Sequence, residues 1–120
     1  MKLKIDKYID TGNYDKERIA FKADIDCNLK FFVVHLTHIM ESGGFYNKPK
    51  ETFWFAPKEI KAGDWVVLYT KKGTASKKDN DSGSTSHFYY WDLEKPIFNN
   101  ENDGIVLAEV ETWETKWNKK

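Results

Sequence analysis

The first clean period along the chain runs from Glu17 to Asp26, where Ile19, Phe21, Ala23 and Ile25 alternate with Arg18, Lys22, Asp24 and Asp26. In an extended strand successive side chains point to opposite faces, so this stretch predicts a strand that buries those four apolar residues. Upstream, Leu3, Ile5 and then Tyr8 or Ile9 predict another strand, and the change of phase after Ile5 requires a bulge. Thr11, Gly12, Asn13 and Asp15 supply the turn between them. Leu29 to Met40, LKFFVVHLTHIM, is apolar on both faces. Its β-branched Val33, Val34, Thr37 and Ile39 favour a strand covered on both sides over a helix, and Glu41-Ser42-Gly43-Gly44 ends it.

The second half continues in the same style. Thr52 to Phe55 predicts a short aromatic strand stopped by Ala56-Pro57, and Ile60 to Gly63 a turn. Asp64 to Thr70 predicts a strand with Trp65, Val67 and Tyr69 opposite Val66 and Leu68. Residues 71–86, KKGTASKKDNDSGSTS, hold no large apolar side chain and read as a flexible loop. His87 to Trp91 returns to strand character, and Asp103-Gly104 is a turn dipeptide. Ile105 to Trp113 is expected as the closing strand, with Glu109, Glu111 and Glu114 facing water. About seven short strands with turns between them predict one all-β domain over residues 1–120, a β-sandwich.

Composition sharpens this picture. Five Trp, six Tyr and eight Phe supply apolar area enough for independent folding at this length, without metal or disulfide. The lone Cys27 cannot form an internal bridge, which fits a reducing compartment. Neither a signal-peptide core nor a run near the ~18 apolar residues of a membrane span occurs in the sequence, so no membrane partner and a cytoplasmic location are expected. Nineteen basic and nineteen acidic residues balance. A protein that lives on phosphate contacts shows a basic excess, so nucleic acid is expected as a partner only through a local patch.

Few residues suggest chemistry. His35 and His38 form an H-x-x-H pair, but positions three apart on a strand face opposite ways and cannot share one metal ion. Cys27 sits in no recognisable nucleophile signature, and His87 has no sequence neighbours that would complete a zinc site. Asp79-Asn80-Asp81-Ser82-Gly83-Ser84 hints at a calcium loop, yet Gly83 takes the fifth position, where a calcium loop needs a ligand, and no Glu stands at the twelfth. Neither a metal nor another cofactor is expected. Lys71, Lys72, Lys77 and Lys78 cluster nearby, partly offset by Asp79 and Asp81. The aromatic residues carry the functional expectation. Phe88, Tyr89, Tyr90 and Trp91 alternate between two faces, so some rings are expected on an outer surface, where Trp and Tyr favour interfaces.

The stretches TFWFAPKEIKAGDWVVLYTKKG, HFYYWDLEKPIFNN and DGIVLAEVE, within residues 50–112, resemble the lamin tail domain. The matching features are the aromatic strand Phe53 to Phe55, Pro57, the Gly63-Asp64 step, Trp65 to Leu68, Gly73, Phe98 to Asn100, and Asp103 to Leu107. The resemblance implies an immunoglobulin-like sandwich and a non-enzymatic accessory module, with no catalytic residues to carry over. The expected function is therefore binding of a protein, with nucleic acid as an alternative partner, through exposed aromatics. Trp54, Tyr90 and Trp91 are the expected anchors, with Lys77 and Lys78 as rim charges. A carbohydrate-binding sandwich with Trp and Tyr platforms, and a small hydrolase using Cys27 or a histidine, are the competing expectations.

Overall fold

The computed structural model describes residues 1–119. Its strands are β1 (Leu3–Ile9), β2 (Arg18–Ala23), β3 (Cys27–Asn28), β4 (Phe32–His38), β5 (Glu51–Trp54), β6 (Glu59–Ile60), β7 (Trp65–Tyr69), β8 (Ser76–Asp79), β9 (Thr85–Tyr90) and β10 (Asp103–Glu109). The helical structure among the described residues is one 3-10 turn, Leu29–Phe31, and no helix is long and apolar enough to cross a membrane. A five-stranded sheet has the order β1-β2-β7-β9-β8, a three-stranded sheet the order β10-β4-β5, and β3 pairs with β6. Every pairing is antiparallel except β7 with β9. The chain leaves β7, runs out to the sheet edge as β8, and returns as β9 between the two.

The apolar faces of the two larger sheets meet in one core. Ile19, Phe21, Val66 and Leu68 come from one sheet, and Val34, Leu36, Ile105 and Leu107 from the other. The all-β expectation holds, and the strand register contains the bulge expected after Ile5, between Ile5 and Lys7. Three differences are physical. First, β2 ends at Ala23, and the chain bends at Asp24 and Ile25, which leaves Ile25 56% exposed. Second, residues 29–31 coil into a turn whose Lys30 N–H is capped by the Asn28 side chain, so β4 starts only at Phe32. Third, the polar 71–86 stretch is not a loop throughout. It contains β8, a fully exposed edge strand of Ser76, Lys77, Lys78 and Asp79, and the start of β9. Edge strands are commonly polar and lysine-bearing because such residues discourage pairing with other chains. The short β3 and β6, together with β8, bring the count to ten strands where about seven were expected. The last strand stops at Glu109 rather than Trp113.

Two buried carboxylates flank β7. Glu17 is fully buried and accepts hydrogen bonds from the Gly12 N–H (2.7 Å), the Thr70 hydroxyl (2.6 Å), the Ile97 N–H (2.8 Å) and the Phe98 N–H (3.3 Å). At the other end, Asp64 accepts from the Thr85 N–H (2.9 Å), the Lys61 N–H (3.1 Å) and His87 Nε2 (3.1 Å). Burial works to raise the Asp64 pKa, but the Thr85, His87 and Lys61 hydrogen bonds outweigh it and hold the carboxyl below its ordinary 3.8.

Glu17→Ala strands three backbone donors and a hydroxyl in the interior, so it is expected to lower unfolding free energy by about 3 kcal/mol or more in urea titration. A loss below about 0.5 kcal/mol would contradict that role. For Asp64 the sign follows from the lowered native pKa. Its stabilisation is present above the ordinary carboxylate range and disappears as pH falls below about 4 and through the native value. Asp64→Asn is expected to lower stability at pH 7 and to flatten the acid limb of a stability-against-pH curve; an unchanged acid limb would refute the assignment.

Candidate binding surfaces

The expected anchors do not converge. Trp54 lies on β5 in the three-stranded sheet, whereas Tyr90 ends β9 and Lys77 and Lys78 sit on β8, in the five-stranded sheet. Trp91 is not a surface residue. It is 7% exposed, packs against Phe53 at 6.1 Å, and donates its Nε1–H to the Thr52 carbonyl at 3.3 Å. Alternation along β9 puts His87, Tyr89 and Trp91 on the core side and Phe88 and Tyr90 on the other. The pattern itself was readable; which side faces the core was not.

The outer side of the three-stranded sheet carries Val33, His35 and Thr37 of β4, Val106 and Ala108 of β10, and Thr52 and Trp54 of β5. Residues 39–50 fold back over part of it. The Tyr46 N–H donates to the His38 carbonyl (3.0 Å), and the Thr37 hydroxyl donates to the Tyr46 carbonyl (2.7 Å). That covering is why Thr37 is buried although it points away from the core. A cavity of about 290 Å³ remains between Phe45, Tyr46 and Pro49 on one side and His35, Val106 and Ala108 on the other. Nearby, Trp54 donates its Nε1–H to the Lys30 carbonyl at 2.7 Å and meets Trp113 edge to face at 5.1 Å. Trp113 in turn rests on Phe31 at 6.0 Å. Phe45, Tyr46, Trp54 and Trp113 are 52%, 52%, 45% and 47% exposed; the first two line the cavity, and the Trp54–Trp113 pair lies outside its lining.

The outer side of the five-stranded sheet is different. Arg18, Tyr69 and Tyr90 form one cross-strand row, and Lys22, Trp65 and Ser86 another. The Arg18 guanidinium lies over the Tyr69 ring at 5.5 Å, and Tyr69 stacks on Tyr90 at 5.2 Å with 12° between planes. A Cβ at Gly73 would stand 2.4 Å from the Tyr90 ring, so the Gly73 backbone packs directly against that ring. Tyr90 is therefore a packed pillar between Tyr69 and the chain after β7, rather than a free anchor.

The remaining candidates are placed as follows. Burial pushes the Cys27 thiol up, and Glu109, Asp26 and Glu59 push the same way, with Lys2 opposing. That suppresses the thiolate a nucleophile needs. His35 and His38 lie on strand β4, where His35 Nδ1 contacts the Thr52 hydroxyl at 3.0 Å. Asp79 accepts from the Thr85 hydroxyl (3.2 Å), and the Asn80 N–H closes the β8–β9 turn onto the Ser84 carbonyl (2.8 Å). Among the described residues no three His, Cys, Asp or Glu side chains are grouped to hold a metal ion. Sequence reasoning missed Phe45 and Tyr46, because a polar, glycine-containing stretch gives no period to read. It also missed the Asp64–His87 pair, which joins residues 23 positions apart.

No protein-family model matches the chain, and no curated protein or solved structure is significantly similar to it.

Gly73→Ala is expected to destabilise the fold by about 1–3 kcal/mol, the usual cost of forcing a methyl group into a filled contact. Thermal melts would show it. A companion Tyr90→Ala change should remove most of the extra penalty, and strict additivity of the two would count against the packing described.

Proposed function

We propose that the chain is a non-catalytic interaction module that binds a protein partner on the outer side of the three-stranded sheet. The supporting observation is an apolar concavity walled by half-exposed Phe45 and Tyr46, with the half-exposed Trp54–Trp113 pair as a second aromatic group outside its lining. Monomeric proteins seldom keep large aromatic groups together in water without use, and buried aromatic anchors dominate protein interfaces. Trp54 and Trp113 hold each other and are fixed by Phe31 and the Lys30 carbonyl, so little side-chain entropy remains to be lost on binding. The cavity lining carries no Lys, Arg, Asp or Glu, which suits a partner segment that inserts one large apolar side chain. Lys77 and Lys78 belong to the other sheet and are not rim charges of this surface in the proposal.

An accessory, non-enzymatic role is also what the resemblance to the lamin tail domain implies, and kinship with that immunoglobulin-like family is part of the same proposal. A sugar platform at this surface has less support, because the Trp54 and Trp113 planes meet at 72° and do not form one flat face. The raised Cys27 thiol weighs against the hydrolase reading.

Selection from a displayed peptide library tests the proposal. Recovered peptides are expected to share one large apolar residue, and Tyr46→Ser and Trp113→Ala are expected to weaken binding at least tenfold while leaving the thermal midpoint within a few degrees. Peptides that bind both variants as tightly as the parent would overturn it.

A further inference from the structure

The chain's charge balances, yet one row of the five-stranded sheet brings lysines together. Across the five-stranded sheet one outward row reads Lys4, Lys22, Trp65, Ser86, Lys78 in the order β1, β2, β7, β9, β8. The single aromatic ring stands between Lys22 and Ser86, three of the five residues are lysines, and none is an acid. Lys4 and Lys22 stand directly opposite each other, an arrangement of like charges that costs stability in a sheet. Lys4 is paired with Asp24 at 2.9 Å. Lys22 makes no ion pair among the described residues and instead holds its ammonium over the Trp65 ring at 5.3 Å.

Beside this row lies a concavity of about 550 Å³, bounded by Lys22, Lys61, Trp65 and the turn Ser82–Thr85. It therefore has one aromatic wall, two ammonium groups, and the hydroxyls of Ser82, Ser84 and Thr85. The acid in its lining, Asp64, is already engaged by Thr85, Lys61 and His87, so its charge is tied inward. Lys61 is exposed and only loosely paired with Asp26, at 3.8 Å. Ser86 stands opposite Trp65 across the strand pair and has no bulk to cover the ring.

We infer that this groove binds a nucleotide unit: the Lys22 ammonium, which lies over the Trp65 ring in the free protein, moves off to hold the phosphate together with Lys61, and the base stacks on the ring in its place. An aromatic face beside lysines is the combination that takes an unpaired base together with its phosphate, and stacking of this kind tolerates any base. A neutral sugar would use the ring but not the two cations, and an inorganic anion would use the cations but not the ring. The unit is either a free nucleotide or one residue of a single strand, and in the second case Lys78 continues the track along the sheet. This surface is independent of the aromatic concavity on the other sheet, so either assignment can fail alone.

Adenosine monophosphate and a ten-residue oligo(dT) are the probes, titrated against the whole chain at 50 and 200 mM salt with tryptophan fluorescence and anisotropy as readouts. Quenching is expected with the parent and its loss with Trp65→Phe. Lys22→Ala combined with Lys61→Ala should weaken binding at least tenfold and reduce the salt slope for the oligomer by about 1.4, two phosphate contacts fewer. Lys61 is exposed, so Lys61→Ala alone gives a folded control that should lose part of the same affinity. Equal dependence of both probes on these lysines identifies a free-nucleotide site; tighter oligomer binding that falls with Lys78→Ala identifies a strand. Binding of neither probe at 50 mM salt, binding unaffected by the variants, or equal quenching by cellohexaose would overturn the inference.

Discussion

A carboxylate with no cation to meet it, sealed inside a β-protein, is a costly group, and the arrangement around Glu17 follows from having to satisfy it. Its two oxygens draw in the Gly12 turn, the Thr70 hydroxyl at the end of β7, and the backbone of Ile97 and Phe98. Those three places are separated by more than eighty residues of chain from first to last, and no apolar contact would specify their meeting so closely. Unpaired, the charge would cost several kcal/mol; ringed by donors, it becomes a directional joint. The Tyr14 hydroxyl, which donates to the Leu93 carbonyl at 2.7 Å, ties the same region a second time.

Asp64 makes the corresponding joint at the opposite end of β7. It binds the turn after β6 to the first residue of β9, and so holds the parallel β7–β9 pair in register from one side. Between these two fixed ends, β7 sends Val66 and Leu68 into the core and Trp65, Val67 and Tyr69 outward. Both outward surfaces inherit their shape from this. The rows of the five-stranded sheet are aligned because β7 cannot slide, and the segment leading into β10 is placed because Ile97 and Phe98 are held.

The two outer surfaces differ in kind. One is apolar and nearly uncharged, built where residues 39–50 fold over β4 and β10. The other pairs lysines with a single indole and gathers cations that the linear sequence scatters among acids. A net charge of zero describes the chain and says little about either face, since screening over about 8 Å lets local groupings act independently.

Much of the fold was legible in the sequence. Alternation at Glu17 to Ala23, the phase change after Ile5 and the β-branched run before Thr37 each map onto the observed strands, because backbone pleating writes its period of two into any half-buried strand; the turn read at Asp103-Gly104 falls instead on Glu101 and Asn102, and Asp103 and Gly104 open β10. What the sequence could not decide was which of two aromatic faces on β9 turns inward, and that a stretch of serines and lysines would serve as an edge strand. Both depend on neighbours distant in the chain: Trp91 is inside because Phe53 and the Thr52 carbonyl wait for it, and β8 exists because β9 offers an unpaired edge. The amino-acid order determined strand periods and turns, which are local; tertiary packing alone decided burial of individual rings and the gathering of lysines, because those are properties of surfaces that no single segment possesses.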